Sequence, residues 1–252
     1  DRYATPCLTR NVILLHKVLD LVPDNATILT QNYIFPHVAS RTGAYVVVNN
    51  LNLTISLYDQ LKKENLDYIL LNLRNAHKTD IALAQHVIED GEYGLFAFAD
   101  GILLFKKNYQ GKPKLFIPYR EDYGYQDLAI LNGEINKKEK AIISKRGSPT
   151  GKIWYGPWCP LPPGRYRVTY RLKVSSTVPE KILKLQVVSQ YGAIILSEKE
   201  LNGSDFQKAG EWQDFTLEFT IQNVAIVEFI GICLSSTTDI YLSCIIVEQV
   251  ET

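Results

Sequence analysis

Hydrophobic and polar positions follow two different patterns along the chain. Between residues 10 and 107, short apolar runs alternate with segments in which apolar residues recur every three or four positions, the spacing typical of amphipathic helices. From residue 152 onward, apolar and polar residues alternate one by one, as in residues 166–174, which indicates half-buried strands. We therefore expect an α/β domain over residues 1–110, a connector over 111–151 and a β-sandwich over 152–252.

The first domain is predicted to alternate strands with helices. The apolar runs predict strands at 26–30, 44–48, 67–73, 93–99 and 102–107, and the helical spacing predicts helices at 11–21, 33–41, 55–65 and 79–88. Asp100 and Gly101, between the last two strands, are typical of a hairpin turn. Short apolar strands separated by helices favour a parallel sheet with both faces covered. No glycine-rich phosphate loop follows the first strand, so we expect no nucleotide and no other cofactor.

The second domain is predicted to consist of strands alone. Its alternating segments are residues 166–174, 183–188, 193–197, 213–221, 225–234 and 240–250. Glycine, serine and aspartate turns separate these segments, so a two-sheet packing is favoured. The expected fold class is α/β plus all-β, in the form of a Rossmann-like α/β domain followed by a jelly-roll-type β-sandwich.

Net charge narrows the range of partners. The 252 residues include 27 basic and 27 acidic side chains, so the chain has no general field to attract nucleic acid or an anionic membrane. No apolar run reaches the ~18 residues that span a bilayer. We expect no nucleic-acid partner, and membrane attachment only through a segment that this sequence does not contain. The sequence begins at Asp1 and has no methionine, which suggests a processed chain or part of a longer one.

The cysteines and glycosylation sequons favour an extracellular or cell-surface location. No CxxC spacing or cysteine–histidine cluster occurs, so no metal site is expected. The cysteines fit either two disulfides, with Cys7–Cys159 and Cys233–Cys244 or with Cys159 bonded to Cys233 or Cys244, or else four free thiols. The sequons place candidate N-glycans on Asn25, Asn52 and Asn202.

An aromatic segment precedes the strand that starts near residue 164. Trp154, Tyr155 and Trp158 lie within it, followed by a Leu-Pro-Pro-Gly turn. Flat apolar rings with polar edges suit the face of a sugar ring, and they equally suit the end of a sandwich core. Both interpretations stay open at this point.

Two stretches resemble known families. Residues 22–107 look like a domain that follows the membrane helices of uncharacterised archaeal polytopic proteins, which are similar to lipid-linked-sugar glycosyltransferases. Residues 156–157, 161–166 and 239–242 resemble a carbohydrate-binding-like sandwich found in such proteins. The first resemblance rests on residues 23–27, Gln31, 35–37, Arg41, 67–68, 93–94 and 100–102. It implies an archaeal surface location and does not imply catalysis.

No enzymatic motif is evident in the chain. The histidines form no i, i+4 pair and none lies beside a nucleophile, so we expect no catalytic residues. The resemblance supports one polar set, Gln31, His37 and Arg41, which either forms a site or holds the strand-to-helix loop.

These observations favour a non-catalytic archaeal cell-surface glycoprotein with a structural or adhesive role, for example as a subunit of an extracellular filament or surface array. The alternative is a sugar-binding accessory region of a membrane glycosyltransferase, and a hydrolase is a third candidate. The expected partners are further copies of the chain or other surface proteins, and glycans.

Overall fold

The chain folds into two compact units. The structure, a computed structural model, describes residues 10–74 and 76–250. The first unit is Asp1–Ile117 and the second is Pro118–Thr252.

The first unit is built on a six-stranded sheet with the order β2-β1-β3-β5-β4-β6. Its helices are α1 (Arg10–Leu19), α2 (Leu51–Lys63) and α3 (Lys78–Asp90), with a 3-10 turn at Phe35–His37. Its strands are β1 (Ile28–Thr30), β2 (Ala44–Val46), β3 (Tyr68–Asn72), β4 (Tyr93–Ala99), β5 (Ile102–Lys107) and β6 (Lys114–Leu115).

The core of this unit lies between the apolar stripe of α1 and the buried strands of the sheet. Every residue of β3 is buried, as expected for a central strand with both faces covered. Leu15 and Val18 of α1 pack in one cluster with Ile28, Leu70 and Leu104 of the sheet. The helix thus covers one face of the sheet with its apolar stripe.

The expected fold class, a Rossmann-like α/β domain followed by a jelly-roll-type sandwich, is wrong. The described chain is mainly β, with eighteen strands and three α-helices. Within the first unit, β1 runs parallel to β2 and β3, but β5 is antiparallel to β3 and β4 is antiparallel to β5. The hairpin at Asp100 and Gly101 was expected, but β5 lies between β3 and β4 in the sheet. It therefore pairs antiparallel with both strands, without the crossover helix that a parallel strand requires.

The second unit contains two six-stranded antiparallel sheets, named here after their central strands. The β13 sheet has the order β16-β13-β18-β10-β9, with β7 also paired to β18; the β17 sheet has the order β15-β14-β17-β11-β8, with β12 also paired to β17. The strands are β7 (Arg120–Gly124), β8 (Ala129–Ile130), β9 (Glu134–Asn136), β10 (Ala141–Ser144), β11 (Gly151–Tyr155), β12 (Cys159–Leu161), β13 (Gly164–Val174), β14 (Lys181–Ser189), β15 (Ile194–Asn202), β16 (Gln213–Ile221), β17 (Ala225–Cys233) and β18 (Ile240–Val250).

The two sheets of the second unit pack face to face. The Phe219 ring of β16 lies 6.4 Å from the Phe229 ring of β17, between centroids. The Tyr170 hydroxyl of β13 donates a hydrogen bond to the backbone oxygen of Gln186 on β14, at 3.4 Å. The predicted β-sandwich is therefore present, with aromatic side chains filling the space between its sheets.

Residues 111–151, expected to be a connector, carry five strands, β6 to β10. The strands are two to five residues long, and several present charged side chains, so their pattern resembles a loop. Arg120 of β7 pairs with Glu248 of β18 at 2.6 Å, and this kind of cross-strand contact cannot be read from either segment alone.

The expected disulfides are not formed by the described cysteines. Cys159, Cys233 and Cys244 are free thiols, and Cys7 lies outside the described residues. Cys233 belongs to β17 and pairs with Leu183, whereas Cys244 belongs to β18 and pairs with Arg171. The strands that carry these two cysteines lie in different sheets, so the turn between them is not a hairpin that a disulfide could bridge.

Candidate functional site

The outward surface of the β17 sheet is defined by the alternation of side chains along β17. Phe229 faces the other sheet, so its neighbours Glu228 and Ile230 point away from the core. Ile226 and Ile230 are nonetheless only 5% and 4% exposed. This surface, which we call the outer face, is therefore largely shielded from solvent at these two positions.

Trp154 does not reach the outer face. It pairs with Gly231 across β11 and β17, and a Cβ atom on residue 231 would lie 2.1 Å from its ring. Because residue 231 shares the inward parity of Phe229, the Trp154 ring fills the core above the glycine and is 0% exposed. Of the three aromatic residues predicted to bind sugar, this one is part of the core.

A register shift in β11 sets the direction of the side chains around Trp154. Lys152 pairs with Ile232 and Trp154 with Gly231, so Ile153 forms a bulge between them. Lys152 and Tyr155 consequently lie on the outer face together. The Lys152 ammonium is 5.2 Å from the centroid of the Tyr155 ring, within the range of a cation–π contact.

Trp158 joins Tyr155 on the outer face through a short turn. Gly156 has a φ of 86°, which favours glycine, and its carbonyl accepts a hydrogen bond from Phe229 N at 3.1 Å. The ring centroids of Tyr155 and Trp158 are 6.2 Å apart, with an interplanar angle of 77°. Both side chains are partly exposed, so the pair forms an aromatic corner whose ring faces stand nearly perpendicular.

Glu228 lies next to this corner. Cys159 pairs with Val227, which places Trp158 beside Glu228, and Val188 of β14 pairs with Glu228 from the other side. Glu228 as a whole residue is only 7% exposed. Burial raises the pKa of Glu228, while the neighbouring Trp158 side chain and the positive charge of Lys152 act in the opposite direction. The Trp158 indole nitrogen is buried, and no hydrogen bond to it is formed by the described residues.

The outer face continues from Glu228 to the edge of the sheet. Val188 pairs with Ile195 of β15, which is 53% exposed. Gln186 donates a hydrogen bond to Glu198 at 2.9 Å. The arrangement offers aromatic rings, an apolar floor, a carboxylate and an ammonium group, which together suit a polar ligand with apolar ring faces.

Gln31 has a structural role in the first unit. Its side chain donates to the backbone oxygen of Asn72 at 3.2 Å and accepts from the backbone nitrogen of Asn72 at 2.6 Å. The Tyr33 hydroxyl donates to the same Asn72 oxygen at 2.8 Å. These bonds tie the end of β1 to the end of β3, beyond the last β1–β3 pair, Thr30 and Leu70.

His37 and Arg41 lie apart from that network. The His37 ring contacts the His16 ring edge to face, with centroids 4.9 Å apart. Arg41 donates to the carbonyl of Val22 at 3.1 Å and to that of Pro23, and it pairs with Asp24 at 3.4 Å. No described hydrogen bond or ring contact joins either residue to Gln31, and Arg41 is occupied in holding the turn after α1.

The sequon asparagines occupy turns or element ends. Asn25 and Asn52 are exposed and Asn202 is partly buried. The backbone nitrogen of Asn202 donates to Asp205 at 2.7 Å. Glycosylation of these residues stays a prediction.

Sequence reasoning missed Glu228 and its partner Val188. The signal was present, because Glu228 is the one charged residue in the otherwise apolar strand Ala225–Cys233. A charge inside such a run indicates a position that faces out of the core.

The helices of the structure are short. The longest among residues 10–74 and 76–250 have 13 residues, and none is long and apolar enough to cross a bilayer.

Comparisons with known proteins identify one similar family and several similar structures. A family model described as "Predicted membrane protein (DUF2079)" matches residues 5–104. No curated protein matches the chain.

Among solved structures, the chain is similar to three carbohydrate-binding modules. The C-terminal CBM6 of the laminarinase LamC from Zobellia galactanivorans is 11% identical, with a TM-score of 0.35, over 52% of this chain and 100% of that one. A CBM6 from Cellvibrio mixtus lichenase 5A, in complex with cellotriose, is 10% identical, with a TM-score of 0.35, over 52% and 98%. A family 35 module from Clostridium thermocellum is 12% identical, with a TM-score of 0.37, over 51% and 97%.

The family match covers residues 5–104, and it therefore makes the first unit, and not the sandwich, similar to a family of predicted membrane proteins.

Proposed function

We propose that the second unit binds carbohydrate through the outer face of the β17 sheet. The observation that carries the proposal is the corner formed by Tyr155 and Trp158, two partly exposed rings 6.2 Å apart beside a carboxylate in an apolar surface.

The position of the rings favours ligand binding over core packing. Trp154 already fills the core above Gly231, so Tyr155 and Trp158 are not needed to close it. A pair of rings at 77° can contact two faces of one sugar ring or successive rings of a chain. Glu228 and Lys152 supply an acceptor and donors for hydroxyl groups.

We further propose that this carbohydrate-binding unit works together with a membrane protein of the cell surface. The similarity of residues 5–104 to a predicted membrane protein family supports an accessory region that holds a glycan near a membrane-embedded partner. In its most specific form, the partner is a glycosyltransferase at an archaeal surface, and the chain itself is not the enzyme.

The edge of the β17 sheet disfavours the rival filament role. A filament built by strand addition needs an accessible edge, but β15 carries Glu198, Lys199 and Glu200 there. Glu200 also pairs with Lys181 and Lys184, at 2.7 Å and 3.1 Å. Charged side chains on an edge strand oppose pairing with another chain. A purified native chain that sediments as large particles would favour the filament role instead.

A glycan-binding assay on the full chain tests the proposal. We expect Trp158→Ala to weaken binding of the best-bound neutral oligosaccharide at least about tenfold, which corresponds to ~1.4 kcal/mol. Trp212→Ala is the matched control, because it removes an equal ring elsewhere in the unit. The Lys173 ammonium of β13 lies 4.8 Å from the centroid of the Trp212 ring. Its affinity should stay within about twofold of wild type. Equal effects of both variants, or no glycan bound by the wild type, would contradict the proposal.

A further inference from the structure

Resting on the proposed carbohydrate site, we propose that Glu228 makes the site selective for uncharged glycans. Its carboxylate accepts hydrogen bonds from ligand hydroxyls and repels glycans that carry carboxylate or sulfate groups. The position of Glu228 within the outer face decides which class of ligand is accepted.

The surroundings of Glu228 are apolar on every side of the sheet. Ile226 and Ile230 precede and follow it on the same face of β17, at 5% and 4% exposure. Val188 pairs with it from β14 and is 2% exposed. Trp158 lies on the fourth side. An ionised group in such a position keeps most of its electrostatic strength because water screens it poorly.

No cation neutralises this carboxylate directly. Among the residues that the structure describes, no lysine or arginine forms an ion pair with Glu228. Lys152 is the cation that acts on it, but its ammonium lies over the Tyr155 ring. Lys184, on the next strand, is paired with Glu200 at 3.1 Å. Glu228 therefore forms no ion pair with the described residues, and in this proposal its charge acts on a ligand that contacts the outer face.

The chemistry of a carboxylate then decides which ligands fit. An ionised glutamate only accepts hydrogen bonds, so it recognises groups that donate them. Sugar hydroxyls donate, and a charge-assisted bond to a partly buried carboxylate is stronger than a neutral one. Sulfate and carboxylate groups do not donate when ionised, and their charge is repelled at short range.

Paired glycans on an array, bound to the full chain, test this selectivity. Each pair consists of a neutral oligosaccharide and the same oligosaccharide with one sulfate ester. We expect the wild type to bind the neutral member at least about tenfold more tightly. Glu228→Gln, which keeps the shape and removes the charge, should bring this ratio to within about threefold of one.

Two further variants make the result decisive. Glu228→Asp keeps the charge and should retain a preference for the neutral member, whereas Trp158→Ala should weaken both members together. The inference would be overturned if Glu228→Gln left the ratio of the two affinities unchanged. It would also be overturned if the wild type preferred the sulfated member and Lys152→Ala abolished that preference. Either result would leave carbohydrate binding intact. If the wild type binds neither member of any pair, the proposed function itself fails.

Discussion

At the scale of single residues, one step along β11 separates a core residue from a surface residue. Trp154 and Tyr155 are adjacent, yet the first is fully buried and the second is partly exposed. The aromatic segment was recognisable in the sequence. The side on which each ring lies was not, because it depends on the bulge at Ile153 and on Gly231 of a distant strand. Local composition carries no information about either.

The two tryptophans of this segment should differ sharply in their contribution to stability. We expect Trp154→Ala to lower the free energy of unfolding by about 3–5 kcal/mol, since it leaves a cavity above Gly231. Trp158→Ala should cost about 1 kcal/mol. Urea unfolding followed by circular dichroism measures both. A similar loss in the two variants would contradict the assignment of Trp154 to the core and Trp158 to the surface.

Glu228 should lower stability at neutral pH. Burial raises its pKa, so the folded chain binds this proton more tightly than the unfolded chain does. The stabilisation that follows is fully present below the unfolded pKa of ~4.3 and is lost as the pH rises through the folded pKa. We therefore expect Glu228→Gln to be more stable than wild type at pH 7, by about 1 kcal/mol or less.

Thermal unfolding at two pH values checks this expectation. The advantage of Glu228→Gln should shrink between pH 7 and pH 4. Glu218→Gln is the control, because the pKa of Glu218 is shifted in the opposite direction: Arg167 and Arg165 lower it. Removal of the Glu218 carboxylate should therefore not raise the melting temperature at pH 7. A Glu228→Gln variant less stable than wild type at pH 7 would show that the carboxylate has a stabilising partner.

At the scale of elements, sequence patterns located most strands and helices but not their partners. The apolar runs at β1, β3 and β5 were evident because buried central strands are continuously apolar. The hairpin of β4 and β5 was evident from Asp100 and Gly101, but the insertion of β5 between β3 and β4 was not, since alternating strands and helices up to α3 suggested further parallel pairing. Strand β7 was missed because its residues Arg120–Gly124 are polar or half-buried and pair with β18, more than a hundred residues later.

The hairpin turn that changes the direction of the sheet should be sensitive to glycine replacement. Gly101 has a φ of 83°, and a Cβ atom there would lie 3.3 Å from the backbone nitrogen of Arg74. We expect Gly101→Ala to cost about 1–2 kcal/mol. Gly91 ends α3 with a φ of 71° and has no atom within 4 Å of a Cβ position, so Gly91→Ala should cost about 1 kcal/mol.

Hydrogen exchange locates the effect of these two glycines. Gly101→Ala should increase exchange in β4 and β5, whereas Gly91→Ala should act mainly on the last turn of α3. A Gly101→Ala variant as stable as wild type would contradict the turn geometry on which the antiparallel pairing depends.

At the scale of the whole molecule, the family similarity and the candidate site lie in different units. The family match lies in residues 5–104, within the first unit, and the candidate site lies in the second. The zero net charge of the chain excludes a general electrostatic field, but it gives no sign of the buried carboxylate of Glu228. The association with a membrane protein and the binding of a glycan are therefore separate claims, and the second is central.

The three tryptophans of the chain allow the central claim to be tested in one titration. A neutral oligosaccharide identified on the array is added to the ¹⁵N-labelled full chain, and the indole N–H signals of Trp154, Trp158 and Trp212 are followed after assignment by single replacements. We expect the Trp158 signal to shift in a saturable way, while the Trp212 signal stays within its line width. A saturable shift of the Trp212 signal, with the Trp158 signal unchanged, would place the ligand on the other sheet and contradict the proposed site.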